Sequence, residues 1–309
     1  VYLNFYHFVD YPFSVTPDPR FLYLSPSHKE ALGAIIYGIE NRKGFVSVSG
    51  EVGTGKTTII RACLENLNRE DIRFVYVFDP NISFLELLKV IFRELDLEPE
   101  NARSHDMIQQ FHRYLIDEYS QGRNIAIIID EAQNTPVQTL ENLRMLSNLE
   151  TTEDKLVQIV LVGQPEMEDK LNRYELRQLK QRIAVRATIQ CLTPEECKEY
   201  MLYRLGSVTP EENQVITHKA MDLIIEKSQG IPRVINVLCD NALISGFGYM
   251  KNPVTPQIVK EVIRDYEGRS APKGWRRWGR VLLYLLIFGL IGAGAAAAIY
   301  YFFPGLLGK

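Results

Sequence analysis

Residues 50–57 read Gly50-Glu51-Val52-Gly53-Thr54-Gly55-Lys56-Thr57, a complete Gly-x-x-x-x-Gly-Lys-Thr phosphate-binding pattern. An apolar, β-prone run, Phe45-Val46-Ser47-Val48-Ser49, leads into it, and a helix-compatible run, Thr58-Ile59-Ile60-Arg61-Ala62-Cys63-Leu64, leads out. In that setting the pattern has a mechanism. Glycines let the backbone curl until successive N–H groups face a phosphate. The helix behind the loop adds the positive end of its dipole. Lys56 would reach the β- and γ-phosphates, and the Thr57 hydroxyl would ligate Mg²⁺. Gly50 through Thr58 are therefore the candidate nucleotide contacts. A chance glycine-rich turn would lack the strand before it, the helix after it and the Lys-Thr pair.

The run Ile125-Ala126-Ile127-Ile128-Ile129 ends in Asp130-Glu131. A short, wholly apolar run is a central strand. It carries its terminal carboxylates to the C-terminal edge of the sheet, where ligands bind in open α/β folds. Asp130 is the candidate Mg²⁺ residue and Glu131 the candidate base for an attacking water. Either acid alone reads as a solvated strand end; the phosphate loop earlier in the chain gives the pair a substrate.

Further strands are predicted over 73–78, 157–162 and 185–191, with helices over 26–41, 106–120 and 136–149 and another after Pro80 on the period of Leu85, Leu88, Phe92 and Leu95. Strands alternating with helices imply a parallel five-stranded sheet sandwiched by helices, an α/β P-loop NTPase. From Thr193 the pattern is helical, with breaks at 206–210, 230–232 and 252–256, which predicts a small helical lid. The expected division is an α/β nucleotide-binding domain at 1–191, a lid at 192–267, a basic linker at 268–280, a transmembrane helix at 281–303 and a short tail at 304–309.

The span rests on 23 uncharged residues, VLLYLLIFGLIGAGAAAAIYYFF, at 281–303, long enough to cross a bilayer as a helix. Trp275 and Trp278 flank one end, Tyr300 and Tyr301 the other, as interfacial belts do. Lys273, Arg276, Arg277 and Arg280 precede the span and only Lys309 follows it. The positive-inside bias then places the preceding residues in the cytoplasm. Asp10, Asp18, Arg20 and three prolines in the first twenty residues argue against a signal peptide. The chain has 309 residues, 46% hydrophobic and 24% charged, with a net charge of −3. That balance offers no basic field for nucleic acid. The four cysteines and five histidines form no metal-ligand cluster.

The stretches IIIDEAQN, LENLRMLSNLE, VQIVLVGQPE, ELRQLKQRIAVR and SQGIPRVINVLCDNAL, with the opening YPFSVTPDPRFLYLSPSHKEAL, resemble the ExeA/GspA family of AAA+ ATPases. The similarity runs over about residues 3 to 266, with the motifs in order. It implies an ATP- and Mg²⁺-dependent ATPase that self-associates, in a ring for many AAA+ proteins. It also implies residence in the bacterial inner membrane beside a membrane-anchored B-type partner, in assembly of a secretin. By the same resemblance Arg182 sits where a neighbour-directed arginine finger is expected, with Arg177 the rival. Arg233 matches the lid arginine called sensor 2. Ile231 and Pro232, with Tyr11, Pro12 and Phe13, would contact adenine. Gln164 stands where sensor 1 is often Asn or Thr, and its amide can still donate to the γ-phosphate or the water. The family's A component often carries a peptidoglycan-binding region after the span, so peptidoglycan binding is not assigned to these residues. Two other readings stay open: a DNA-associated ATPase like the transposition regulators, and a nucleotide-gated scaffold for pilus or exopolysaccharide export.

Overall fold

The computed structural model describes residues 2–16, 19–67, 71–209 and 214–270. In chain order the elements are α1 (Leu3–Tyr6), α2 (Pro26–Glu40), β1 (Phe45–Gly50), α3 (Lys56–Asn66), β2 (Ile72–Val77), α4 (Phe84–Glu94), α5 (Ser104–Ser120), β3 (Asn124–Ile129), α6 (Val137–Leu146), β4 (Val157–Gly163), α7 (Pro165–Leu171), α8 (Arg177–Arg182), β5 (Ile183–Ile189), α9 (Pro194–Gly206), α10 (His218–Ser228), α11 (Pro232–Gly248) and α12 (Pro256–Ser270). One compact unit ends at Val259 and a second begins at Lys260, inside α12.

The five strands form one sheet in the order β2-β3-β4-β1-β5, with every neighbouring pair parallel. The inner strands β1, β3 and β4 are buried at every position, as strands covered on both faces must be. Side chains alternate between two cores. Val46, Val48, Ala126, Ile128, Val160 and Val162 pack with Ala31, Ile35 and Ile39 of α2 and Ile59, Ile60 and Cys63 of α3. Phe45, Ile127, Ile129, Ile159 and Leu161 face the other way, onto Leu88 and Ile91 of α4, Phe111 and Leu115 of α5, and Leu140 and Leu143 of α6. Each fully buried Val, Leu, Ile or Phe side chain among these contributes about 1.5–3 kcal/mol relative to exposure.

Capping fixes where several helices begin. The Ser25 hydroxyl accepts from the His28 N–H at the start of α2, and Ser83 with Glu86 and Thr193 with Glu196 form capping boxes for α4 and α9. The first predicted helix ends one residue early, and β5 lies at 183–189 rather than 185–191. Ile183 is drawn into the sheet opposite Phe45, and Ile189 ends it opposite Gly50. The backbone then leaves the sheet, with the Leu192 N–H donating to the Gly230 carbonyl. The short helices α7 and α8 were not predicted, being under two turns each and too brief for a helical period to register.

The helical region after β5 buries Cys197 and Met201 of α9, Ala220 and Ile224 of α10, and Leu238, Cys239 and Leu243 of α11. The N-terminal segment is fastened to these helices. The Tyr6 hydroxyl donates to the Leu243 carbonyl, Tyr2 to Asp240, and Arg204 to the carbonyls of Pro12 and Ser14.

α12 continues to Ser270, so the predicted linker starting at 268 begins inside a helix; 271–280, the predicted span at 281–303 and the tail at 304–309 lie outside the described residues. Among the described residues no helix is long and apolar enough to cross a membrane.

Candidate functional site

Parallel pairing brings four strand tips to one edge of the sheet. Ser49 pairs with Gly163, Val77 with Ile129 and Ile129 with Leu161. The phosphate-type loop follows β1, Asp130-Glu131 follows β3 and Gln164 follows β4. Val52 through Thr58, Glu131, Pro232 and Arg233 line a cleft at this edge, with Asp130 held against Thr57 and Gln164 against Glu131. This places the sequence-predicted loop, base and lid arginine around one space.

The loop is held in a curled form. Gly53 has φ +83°, and a Cβ there would lie 2.8 Å from the Arg233 side chain. Only glycine meets both conditions without strain. The Gly53 carbonyl accepts from the Arg233 N–H at 3.2 Å, joining the loop to the start of α11. Lys56 is 6% exposed, and its ammonium donates to the carbonyls of Gly50 (2.7 Å) and Glu51 (2.9 Å). Burial pulls the Lys56 pKa below its usual range; Glu131, Asp130 and Glu51 oppose the shift, while the Arg233 charge adds to it.

Asp130 is 4% exposed. Its Oδ2 accepts from the Thr57 hydroxyl at 3.2 Å and the Tyr76 hydroxyl at 2.8 Å, and its Oδ1 accepts from the Glu131 N–H at 2.9 Å. Among the described residues no cluster of three metal-ligating side chains exists. A magnesium ion fits this donor set all the same. It takes hard oxygen ligands, and with a nucleotide it commonly uses one or two protein oxygens, the rest coming from phosphates and water. Thr57 and Asp130 supply such a pair of neighbouring oxygens.

Glu131 adopts φ 51° and is followed by a 3₁₀ turn, Ala132–Asn134. Its Oε2 accepts from the Gln164 side-chain amide at 2.9 Å, which puts sensor-like Gln164 in direct contact with the candidate base.

Several of the predicted residues sit away from the cleft. Tyr11, Pro12 and Phe13 do not line the cleft; Ser14, Val15 and Thr16 do. Phe13 is 1% exposed, part of the apolar interior, and Pro12 gives its carbonyl to Arg204. Ile231 approaches the loop, where a Gly53 Cβ would meet its Cγ2 at 3.1 Å. Arg182 precedes β5, whose first residue pairs with the first residue of β1. The six residues of β1 span about 20 Å, so Arg182 lies at the sheet edge opposite its own phosphate loop. Its guanidinium donates to the Ser147 hydroxyl at 2.8 Å. Arg177 is exposed, its guanidinium 4.1 Å from the Tyr174 ring centroid.

Sequence reasoning missed His28 and Tyr76. His28 is 4% exposed; its Nδ1 meets the Ser25 hydroxyl at 2.6 Å and its Nε2 the Thr54 carbonyl at 2.8 Å. A carbonyl only accepts, so Nε2 carries the proton and Nδ1 accepts from Ser25. Burial lowers the His28 pKa. Tyr76 stands opposite Ile128 on the neighbouring strand, two residues before Asp130. Burial, with the Asp130 charge and hydrogen bond, raises the Tyr76 pKa and keeps its proton on. The only sequence signals were a Ser-Pro cap before His28 and a tyrosine inside a strand.

A β1–loop–α3 phosphate cradle, an acidic β3 tip and a helical region beside them define a nucleotide-binding P-loop NTPase of the AAA class. Residues 39–171 match the AAA domain family. General secretion pathway protein A of Aeromonas hydrophila is 39% identical over 251 residues, an alignment covering 80% of this chain and 45% of that protein. The chain belongs to the ExeA/GspA family of AAA ATPases. It spans less than half the length of that relative. Among solved structures, Cdc6p of Pyrobaculum aerophilum is similar with a TM-score of 0.61 at 18% identity, covering 79% of this chain and 70% of that one. ORC2 of Aeropyrum pernix, solved as ADPNP-ADP complexes, gives 0.58 at 16%, covering 81% and 72%. At those identities the likeness is one of fold.

Proposed function

We propose that this protein is a membrane-anchored, Mg²⁺-dependent ATPase that self-associates and drives assembly of a cell-envelope secretion system. One observation carries the reading: Lys56, Thr57 and Glu131 line one cleft, with Asp130 bonded to Thr57 beside it, brought together by the tips of β1 and β3 on either side of β4. Lys56 is already poised on loop carbonyls and would exchange them for β- and γ-phosphate oxygens. Thr57 and Asp130 would hold Mg²⁺, which would neutralise charge on the phosphates. Glu131 would orient the attacking water and take its proton, with Gln164 steadying the carboxylate. Arg233 would touch the γ-phosphate, while Ile231 and Pro232 would face the base together with residues 14–16.

Arg182, far from its own loop, would complete a neighbouring chain's site, and Arg177 is the second candidate for that role. Residues 1–191 and 192–267 would act as nucleotide-binding domain and lid. The apolar run at 281–303 would anchor the chain in the inner membrane with the ATPase in the cytoplasm. The kinship with general secretion pathway protein A supports a role in secretion and a membrane-anchored B-type partner.

The test pairs two variants of the full chain. Lys56→Ala is expected to lose ATP binding, while Glu131→Gln binds ATP and loses turnover by about 100-fold or more. In cells both are expected to abolish secretion. Normal secretion with Glu131→Gln would point instead to a scaffold, and normal turnover in either variant would refute the site.

A further inference from the structure

Glu131 does not stand alone at the tip of β3. Its left-handed backbone, φ 51° and ψ 39°, turns the chain sharply into the 3₁₀ turn at Ala132–Asn134. For a residue other than glycine that conformation costs about 1–2 kcal/mol, so surrounding contacts must hold it. The turn brings Gln133 back beside the tip of β4, and there one carboxamide makes two bonds. Its Nε2 donates to Glu131 Oε2, and its Oε1 accepts from the Gln164 backbone N–H at 3.0 Å. The Gln164 side-chain amide donates to the same Glu131 oxygen at 2.9 Å.

Glu131, Gln133 and Gln164 thus close a three-residue ring. The partners fix its polarity. An ionised carboxylate only accepts and a backbone N–H only donates, so Gln133 must present its amide nitrogen to one and its oxygen to the other. Two further features hold the ring. The Lys170 ammonium of α7 donates to the Gln133 carbonyl at 2.8 Å and to the Thr135 carbonyl. At Gly163 a Cβ would lie 2.8 Å from Gln133 Oε1, so β4 approaches this side chain closely.

We infer that Gln133 is a positioning residue for the Glu131 base, and that it links the base to the β4 tip. Two amide donors occupy Oε2, and Oε1 has no hydrogen bond among the described residues. The free oxygen is the one available to take a proton from water. Gln133 also grips the Gln164 backbone, so a γ-phosphate that engages Gln164 shifts the carboxylate through Gln133 as well as directly. The inference rests on the reading of Glu131 as the base. A glutamine is suited to this place because a single planar group supplies both a donor and an acceptor.

The test compares the purified full chain with Gln133→Leu, which keeps bulk and removes both bonds, and Gln133→Glu, which keeps shape and turns a charge toward Glu131. ATP affinity, KM and kcat are measured for each, with unfolding midpoints alongside. Affinity and KM are expected to stay within about twofold while kcat falls about 10- to 100-fold for Gln133→Leu and further for Gln133→Glu, as misplacement of a base predicts. Unchanged kcat, or a fall in kcat matched by equal falls in affinity and unfolding midpoint, overturns the positioning role. A wild-type chain that binds ATP without turning it over overturns the hydrolase reading and this inference together.

Discussion

His28 illustrates how a single side chain outside any motif stabilises the phosphate loop. It joins the cap of α2 to the Thr54 carbonyl while remaining 4% exposed, and its Nε2 lies 3.2 Å from where a Cβ on Gly55 would be. Burial lowers its folded-state pKa, partly offset by the Thr54 hydrogen bond and the Glu196 charge. The unfolded chain therefore binds the proton more readily. Stability from this group is complete above the unfolded value of about 6.5 and is lost as pH falls through the lower folded value. His28→Ala should cost about 1–3 kcal/mol at neutral pH, because it leaves the buried Thr54 carbonyl without its donor and removes one bond of the Ser25 hydroxyl. It should also flatten the slope of stability against pH below about 6.5. Urea unfolding at a series of pH values checks both; an unchanged slope in the variant contradicts the assignment. Beyond the Ser-Pro cap of α2, none of this was legible in the sequence. Lys56, Thr57, Asp130 and Glu131 could be read because spacing alone fixes their neighbours. His28, Tyr76 and Gln133 take their roles from contacts between elements, across register and across turns, which spacing does not encode.

At the scale of elements, the central strands were the most legible, because burial on both faces leaves a continuous apolar run. The edge strand β5 was placed two residues late, since its alternating Ile183, Val185, Ala187 and Ile189 give less guidance about ends. Arg182 is the last residue of α8, directly before the sheet. A helix end packed on α6 through Ser147 holds the arginine at the edge away from its own cleft. Arg182→Ala should therefore leave ATP affinity within about twofold and reduce turnover of associated chains by about 10³-fold or more. Mixing it with Glu131→Gln should restore activity. In the mixed assembly the first variant supplies an intact base and the second an intact arginine. An Arg182→Ala chain as active as wild type, with Arg177→Ala inactive, would transfer the role to Arg177.

Across the whole molecule, the N-terminal segment, the sheet tips and the helical region meet at one cleft. Arg204 and Asn236 both hold the Ser14 carbonyl, and Arg233 reaches the Gly53 carbonyl through its backbone. Nucleotide bound there would contact all three regions at once, which would give binding a means of shifting how they are arranged. The sequence made the phosphate and acidic sides of this cleft legible. It misplaced the N-terminal wall by a few residues, because the strap carries no periodicity to mark which of its residues face inward. The central claim is that the curled loop and the acidic tip share one metal-bound triphosphate. It is tested most directly by equilibrium binding of ATP to the full chain with and without Mg²⁺, for wild type and Asp130→Asn. We predict that Mg²⁺ tightens binding to the wild type by about tenfold or more, equivalent to about 1.4 kcal/mol, and that Asp130→Asn loses most of that gain. ATP binding that ignores Mg²⁺ in both chains, or no binding at all, would contradict the account.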